Sequence, residues 1–349
     1  MSIELNRFCD PDPSSIGEDI YQFLDYLGGP SEILLSGDDT TRTRAFVTLL
    51  HGNEPSGLIA LFKWLKSGLK PAVNVVCIVA SVSAASLEPS FSHRVFARQR
   101  DLNRCFKEPF DDEPGYLAAE ILETLKRYKP ESLIDMHNTS GSGPSFAVAI
   151  YEDPQHDALT ELFTKRLIVT HLRLGALMEV TEYLCPTVTI ECGGRLDESA
   201  HQIAWEGLNR YFRLESVLAG QESQESLEVL TNPVRLELKD DCRLRYGEKL
   251  SEESDLCLLP SIEQLNSGIT VKDTQLGWVA TDDLKAVFSS KNSREECVVN
   301  ELVYIKDGGL FAKRDLKLFM ITNNPEIAKM DCLFYAVRDC GSEVVAELS

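Results

Sequence analysis

A polar tetrapeptide, HGNE at residues 51–54, separates the apolar run Ala45–Leu50 from the helix-like segment Pro55–Lys66. The apolar run predicts a buried strand, and the segment after the tetrapeptide predicts a helix. His51 and Glu54 are three residues apart at the end of this strand, so both side chains can point at one metal ion. Zinc accepts mixed imidazole and carboxylate ligands. For this motif alone, a polar loop without a metal is the alternative.

His137 follows a second apolar strand signal, at residues 132–136, and offers a third ligand. A catalytic zinc site has three protein ligands and an open position, and His51, Glu54 and His137 would form such a set for one zinc ion per chain. Asp135 lies two residues before His137 and therefore shares its face of the strand. It could orient the imidazole from outside the ligand set, although a solvated or helix-capping aspartate is the alternative.

Strand and helix signals alternate through the first two thirds of the chain. Buried strands that alternate with helices predict an α/β fold whose mostly parallel sheet is flanked by helices. In such sheets ligands bind beyond the carboxyl ends of the strands, and His51, His137 and Glu191 each lie at such an end. Strands are predicted at 45–50, 73–79, 132–136, 146–151 and 187–191, and helices at 57–66, 115–128 and around 158–167.

Composition narrows the classes of partner. The 349 residues include 35 basic and 55 acidic side chains, a net charge of −20, which argues against nucleic acid or an anionic membrane as partner. The sequence predicts neither a transmembrane helix nor a signal peptide. Its ten cysteines are scattered without a C-x-x-C pair, which predicts reduced core thiols and a cytoplasmic protein. The oligomeric state is left open, and a homo-oligomer is compatible with the sequence.

Four motifs occur in a fixed order: HGNEPSG at residues 51–57, DLNRCF at 101–106, DMHNTSG at 135–141 and TIECGG at 189–194. Together they resemble the aspartoacylase and succinylglutamate desuccinylase family, a branch of the zinc carboxypeptidase-like amidohydrolases. The resemblance covers roughly residues 40–200. It implies a zinc-dependent hydrolase that cleaves the amide bond of a small-molecule N-acyl amino acid.

The pattern changes after about residue 220. The polar stretch 221–226 predicts a connector, and the short β-like runs beyond it are broken by turns. We predict a zinc hydrolase catalytic domain over residues 1–220 and a smaller β-rich domain over residues 221–349, as the resemblance also implies. The β-like runs are Val234–Leu238, Val298–Ile305, Leu316–Ile321 and Leu333–Val337.

Amide hydrolysis at zinc needs a base that takes a proton from water and returns it to the leaving amine. Glu191 is the predicted base, and family members carry a glutamate at the corresponding point. The resemblance assigns Arg94 to the carbonyl oxygen, with Arg98 as the alternative. It assigns Asn103 and Arg104 to the substrate carboxylate, which a guanidinium can grip through two parallel hydrogen bonds.

One feature of aspartoacylase-like enzymes cannot be placed. A tyrosine and arginine pair helps to hold the acyl-side carboxylate in them, and the spacing of Arg173 and Tyr183 to Glu191 does not match. The acyl group is therefore open. Alternatives are a carboxypeptidase-type peptidase acting on small peptides, a non-catalytic protein that binds a ligand in a zinc pocket, and a thiol nucleophile at Cys192 paired with His137. The other histidines are predicted to be ordinary, although His201 could face the site.

Overall fold

The computed structural model describes residues 3–219, 226–266, 268–292, 294 and 296–338. The chain divides into two compact units, with bounds Met1–Thr139 and Ser145–Val229 for the first and Ser140–Pro144 and Leu230–Ser349 for the second. The predicted boundary between residues 220 and 221, and all but the last residue of the predicted connector, lie outside the described residues. The predicted domain limits therefore stay a prediction.

A nine-stranded sheet forms the centre of the first unit, in the order β1-β2-β4-β3-β5-β8-β6-β7-β9. The central strands β4, β3, β5 and β8 run parallel to one another, whereas β2 and β6 each run antiparallel to one neighbour. The strands are β1 (Asn6–Cys9), β2 (Ser31–Leu35), β3 (Asp39–Thr48), β4 (Val73–Val79), β5 (Leu133–Thr139), β6 (Phe146–Ala149), β7 (Arg166–Val169), β8 (Thr187–Gly194) and β9 (Glu228–Thr231).

Helices cover both faces of this sheet. One apolar cluster packs α1, α2 and α7 against residues such as Phe46, and a second packs α4 against the opposite face, including Val47. Because Phe46 and Val47 are successive residues of β3, their side chains point to opposite faces, and both are buried. The predicted α/β class is confirmed. The helices are α1 (Ile20–Leu27), α2 (Ser56–Ser67), α3 (Val82–Ala85), α4 (Glu113–Tyr128), α5 (Pro154–Glu161), α6 (Leu177–Thr181) and α7 (Glu198–Arg213), with a 3-10 turn at Leu102–Arg104.

The helix predicted around residues 158–167 is wrong in its second half. The side chain of Asp153 accepts hydrogen bonds from the next backbone N–H groups and Pro154 follows it, so α5 begins earlier than predicted. The helix ends at Glu161, and Arg166–Val169 forms β7, which pairs in parallel with β6. The apolar residues after α5 therefore belong to a strand and not to a helix face.

The second unit contains two smaller sheets, with the orders β14-β10-β18-β17 and β11-β12-β13-β16-β15, around an apolar core of its own. Its predicted β-rich character is confirmed. The strand predicted at 298–305 is wrong at its start, where a helical turn precedes β15. The elements are β10 (Val234–Leu238), β11 (Leu244–Tyr246), β12 (Leu256–Leu258), β13 (Gln275–Val279), α8 (Leu284–Val287), β14 (Phe288–Ser289), α9 (Val299–Leu302), β15 (Val303–Lys306), β16 (Gly309–Ala312), β17 (Leu316–Phe319), α10 (Pro325–Met330) and β18 (Phe334–Arg338), with a 3-10 turn at Ile262–Asn266.

Within the described part of the chain, no helix combines the length and the apolar character needed to cross a membrane.

Candidate metal centre

Three buried side chains, His51, Glu54 and His137, lie together in the first unit and are called the metal set below. The Nδ1 atom of His51 is 2.8 Å from Oε1 of Glu54, and the Nδ1 atom of His137 is 2.7 Å from Oε2 of the same carboxylate. One candidate ligand atom from each residue lies within 4.8 Å of the other two. The three residues could therefore hold one metal ion.

The sheet and a tight loop bring the metal set together. β3 ends at Thr48, α2 begins at Ser56, and the tetrapeptide lies between them. Gly52 lets this loop pack closely, because a Cβ atom there would lie 2.7 Å from the backbone nitrogen of Ala85 and 2.7 Å from the carbonyl oxygen of His93. β5 runs parallel beside β3, and its own carboxyl end carries His137 to the same edge of the sheet.

Each imidazole of the metal set also meets an outer carboxylate. The Nε2 atom of His51 is 2.8 Å from Oδ1 of Asp101. The Nε2 atom of His137 is 3.0 Å from Oδ2 of Asp135, although their alignment falls outside hydrogen-bond geometry. Outer carboxylates of this kind orient metal-binding imidazoles. The position of Asp135 agrees with the prediction from its strand spacing.

Asp101, to which the sequence alone gives no role, lies against the metal set. Its signal was its place at the start of the DLNR motif, where only the following Asn103 and Arg104 were assigned. Its carboxylate binds His51 and also accepts hydrogen bonds from Arg94, at 3.3 Å from Nε and 3.0 Å from Nη2. Asp101 thus joins an arginine and a metal-set histidine.

The ionisable groups of the metal set stabilise the charged forms of their neighbours. Burial alone would raise the pKa of Glu54, but His51 and His137 outweigh it and hold that pKa below its usual range. Burial would lower the pKa of His137, but Asp135 and Glu54 outweigh it and the pKa is raised well above its usual value. A carboxylate that stays ionised between two imidazoles forms with them a set of ligands suited to a divalent cation. Binding of the cation displaces protons from the ligands.

Glu191 lies beside the metal set on the next strand. It is in register with His137 across the β5–β8 pair, and residues in register on neighbouring strands point to the same face. Its Oε2 atom is buried and makes no hydrogen bond within the described residues. Burial raises the pKa of Glu191 to about 8. A buried polar atom without a partner is costly unless a further group binds it, so Oε2 of Glu191 is suited to contact a group bound at this site.

The arginines predicted for the carbonyl oxygen and the residues predicted for the substrate carboxylate lie on one segment of the chain, and this segment contacts the metal set. Arg94 is mostly buried, and its Nη1 atom donates to Oε1 of Glu54 at 3.1 Å, whereas Arg98 is exposed. The side-chain oxygen of Asn103 accepts a hydrogen bond from the backbone nitrogen of Leu177, at 2.9 Å. Arg104 donates from Nη1 to the carbonyl oxygen of Asn103. The amide nitrogen of Asn103 and the guanidinium of Arg104 are the groups that could meet a substrate carboxylate.

Cys192 does not fit the alternative of a thiol nucleophile. Its side chain is buried, and burial raises the pKa of the thiol far above its usual value. A nucleophilic cysteine needs the thiolate form, which this environment disfavours.

Comparison with known proteins shows which fold the chain has, but not which sequence family it belongs to. No family model matches the chain, and no curated protein matches it. Solved structures do match. A succinylglutamate desuccinylase/aspartoacylase from Rhodobacter sphaeroides aligns with a TM-score of 0.56 and 14% identity over 89% of this chain and 88% of that one. The chain shares its fold.

Two further structures agree. A succinylglutamate desuccinylase from Vibrio parahaemolyticus aligns with a TM-score of 0.52 and 15% identity over 89% of this chain and 86% of its own. A protein described as a succinylglutamate desuccinylase/aspartoacylase from Shewanella frigidimarina aligns with a TM-score of 0.55 and 11% identity over 88% and 92%. The resemblance in the motifs is thereby confirmed at the level of the fold.

Proposed function

We propose that the protein belongs to the aspartoacylase and succinylglutamate desuccinylase family and is a zinc-dependent hydrolase that removes the acyl group from an N-acyl amino acid. The observation that carries this proposal is the convergence of the metal set with Glu191, in register beside His137, at the carboxyl ends of parallel strands. The shared fold and the four ordered motifs support it.

Zinc is the proposed cofactor, held by His51, Glu54 and His137. Bound there, it would supply Lewis acidity that lowers the pKa of water and polarises the amide carbonyl. Two observations fit this group. The metal set is a two-histidine, one-carboxylate donor set, and each imidazole already has an outer carboxylate that would orient it.

Glu191 is the proposed general base and acid. As a carboxylate it would accept a proton from the attacking water, and it would then donate that proton to the nitrogen of the leaving amine. The proton returns to product, so Glu191 ends the cycle in its starting form. Its buried Oε2, which has no hydrogen-bond partner in the described part of the chain, and its raised pKa suit an exchange of protons near neutral pH.

The arginines are proposed to hold charge that does not move. Arg94 already lies against Glu54 and Asp101, so its guanidinium is fixed and would stabilise the charge that develops on the carbonyl oxygen. Arg104, with the amide nitrogen of Asn103, would bind the carboxylate of the amino acid. A guanidinium and a carboxylate can form a paired hydrogen bond of defined orientation.

The test is amine release by zinc-loaded protein from N-acetyl, N-succinyl and N-formyl amino acids, together with a few dipeptides, with Glu191→Gln as the background. We expect cleavage of one acyl class. Cleavage of dipeptides alone would replace the deacylase by a carboxypeptidase-type peptidase. No cleavage of any amide, with zinc verified in the protein, would contradict an enzyme of this class and leave a zinc-pocket binding protein.

A further inference from the structure

A chain of hydrogen bonds links α7 to the segments that carry the metal set and Glu191. The side-chain nitrogen of Asn138 donates to Oγ of Ser56 at 2.7 Å and to the carbonyl oxygen of Gly193 at 2.9 Å. Oγ of Ser56 is 2.8 Å from Nδ1 of His201. Ser56 and Asn138 are buried, and His201 is half-buried on α7.

The direction of each hydrogen bond follows from its partners. The side-chain oxygen of Asn138 must accept from the backbone nitrogen of Ser56, at 3.0 Å, because an N–H group can only donate. Its nitrogen must therefore face the carbonyl of Gly193 and the hydroxyl of Ser56. The hydroxyl then has its own proton free for Nδ1 of His201, which accepts it in the tautomer protonated on Nε2. Burial lowers the pKa of His201, in keeping with a neutral imidazole.

Three residues of this hydrogen-bond chain lie within two positions of a proposed metal ligand or of the proposed base. Ser56 is two residues after Glu54, Asn138 follows His137, and Gly193 is two residues after Glu191. The backbone nitrogen of Asn138 also donates to Oε2 of Glu54, at 3.4 Å. The Asn138 side chain therefore joins the start of α2, the end of β5 and the end of β8.

We propose that His201 is a positioning residue for the metal set, which acts through Ser56 and Asn138 to hold these three chain segments in one arrangement. A Ser–His nucleophile is excluded as an alternative, because Ser56 is fully buried and its hydroxyl cannot reach a substrate. The inference rests on the proposed zinc site, but its test does not need a substrate. Groups that hydrogen-bond directly to metal ligands typically contribute roughly 10- to 100-fold to metal affinity or activity, and His201 acts one contact further out, so the lower end of that range is expected.

The experiment measures zinc affinity by chelator competition in the full-length protein. His201→Phe keeps a ring but removes the acceptor for the Ser56 hydroxyl, and we expect zinc affinity to fall about tenfold. His201→Asn offers an oxygen near the place of Nδ1 and should restore most of it. If packing on α7 were the cause, the smaller asparagine would be the worse replacement. Gln202→Phe, at an exposed position one residue further on, is the matched control and should bind like wild type.

A second variant tests whether His201 acts through Ser56. Ser56→Ala should lower zinc affinity by a similar factor, and the double variant Ser56→Ala/His201→Phe should lose no more than either single change. Wild-type affinity in His201→Phe, or equal losses in the phenylalanine and asparagine variants, would overturn the inference. Losses of zinc affinity that add up in the double variant would also overturn the inference. The absence of zinc binding by the wild-type protein would overturn it as well. Zinc affinities that follow the expected order without any amide cleavage would overturn the proposed function alone.

Discussion

Two clusters around buried histidines in the first unit use the same residue types in different ways. In the His156 cluster (His156, Asp153 and Glu182), one imidazole lies between two carboxylates. Its Nδ1 atom is 3.0 Å from Asp153 and its Nε2 atom is 3.0 Å from Glu182, which also accepts from the backbone nitrogen of Thr187. In the metal set, two imidazoles instead share one carboxylate.

The clusters also lie at opposite ends of β8. Thr187 is the first residue of that strand, whereas Glu191 lies towards its carboxyl end, in register with His137. The carboxylate of Glu182 is held by hydrogen bonds, and Oε2 of Glu191 has no hydrogen-bond partner among the described residues. A carboxylate that already accepts hydrogen bonds from the fold is a structural feature, whereas a buried carboxyl oxygen left without a partner at the carboxyl end of a strand is a candidate for function.

Matched changes of the two glutamates give the largest expected contrast. Glu191→Gln should keep zinc and lose at least about two orders of magnitude in turnover, because a general base contributes roughly 10²–10⁴-fold. Glu182→Gln should keep most of the turnover and lower the melting temperature instead. Steady-state kinetics and thermal unfolding of both variants make the comparison. Near-normal turnover in Glu191→Gln would remove the role assigned to that residue.

Matched substitutions of two histidines test which of them binds the metal. His137→Ala should weaken zinc binding by at least about 100-fold, since partners outside the ligand set alone can be worth roughly that much. His156→Ala should bind zinc like wild type. Zinc titration against a chelator measures both. Equal zinc content in the two variants after dialysis would exclude His137 from the ligand set.

A change at Arg104 separates binding from turnover. Arg104→Lys keeps the positive charge but loses the planar guanidinium, so we expect KM to rise about tenfold, a loss of about 1.4 kcal/mol, with little change in kcat. Arg100→Lys is the control, because Arg100 is exposed and pairs with Asp112. A KM that is unchanged in Arg104→Lys would contradict its contact with the substrate carboxylate.

The last expected effect is on stability and not on function: a pH-dependent loss of stability in His156→Gln. Burial would lower the pKa of His156, but Glu182 and Asp153 outweigh it and raise that pKa in the folded protein. The charged histidine therefore stabilises the fold below its unfolded pKa of about 6.5, and the stabilisation is lost as pH rises through the folded pKa.

Denaturant unfolding of wild type and His156→Gln should thus differ by roughly 1–3 kcal/mol at pH 6. The difference should shrink at pH 9. A difference in the free energy of unfolding that is larger at pH 9 than at pH 6 would show that Glu182 and Asp153 do not stabilise the charged form of His156.

The parts of the fold that the sequence predicted correctly are those with a strong local signal. The segment Val73–Val79 is rich in valine, and it forms β4 with the same limits. His51, Glu54 and His137 could be placed together because polar residues that follow buried parallel strands meet at one edge of the sheet. The roles assigned to the site residues stay predictions.

The parts that were missed depend on contacts between distant residues. Asp101 meets His51 across 50 positions, and His201 meets Ser56 across 145. The DLNR motif marks Asp101 itself but not its partner, and no local period or spacing marks either pair. The sequence predicts that the helix continues into Arg166–Val169 because four apolar or long residues after a helix do not distinguish helix from strand. Pairing with β6 decides between them.

The most direct test of the account is zinc K-edge X-ray absorption of the zinc-loaded wild-type protein, with His137→Ala for comparison. The proposed zinc site should give only nitrogen and oxygen neighbours at about 2.0–2.2 Å, with two imidazole contributions in wild type and one fewer in the variant if any zinc remains. A sulfur neighbour at about 2.3 Å, or a spectrum that His137→Ala leaves unchanged, would contradict a zinc site built from His51, Glu54 and His137.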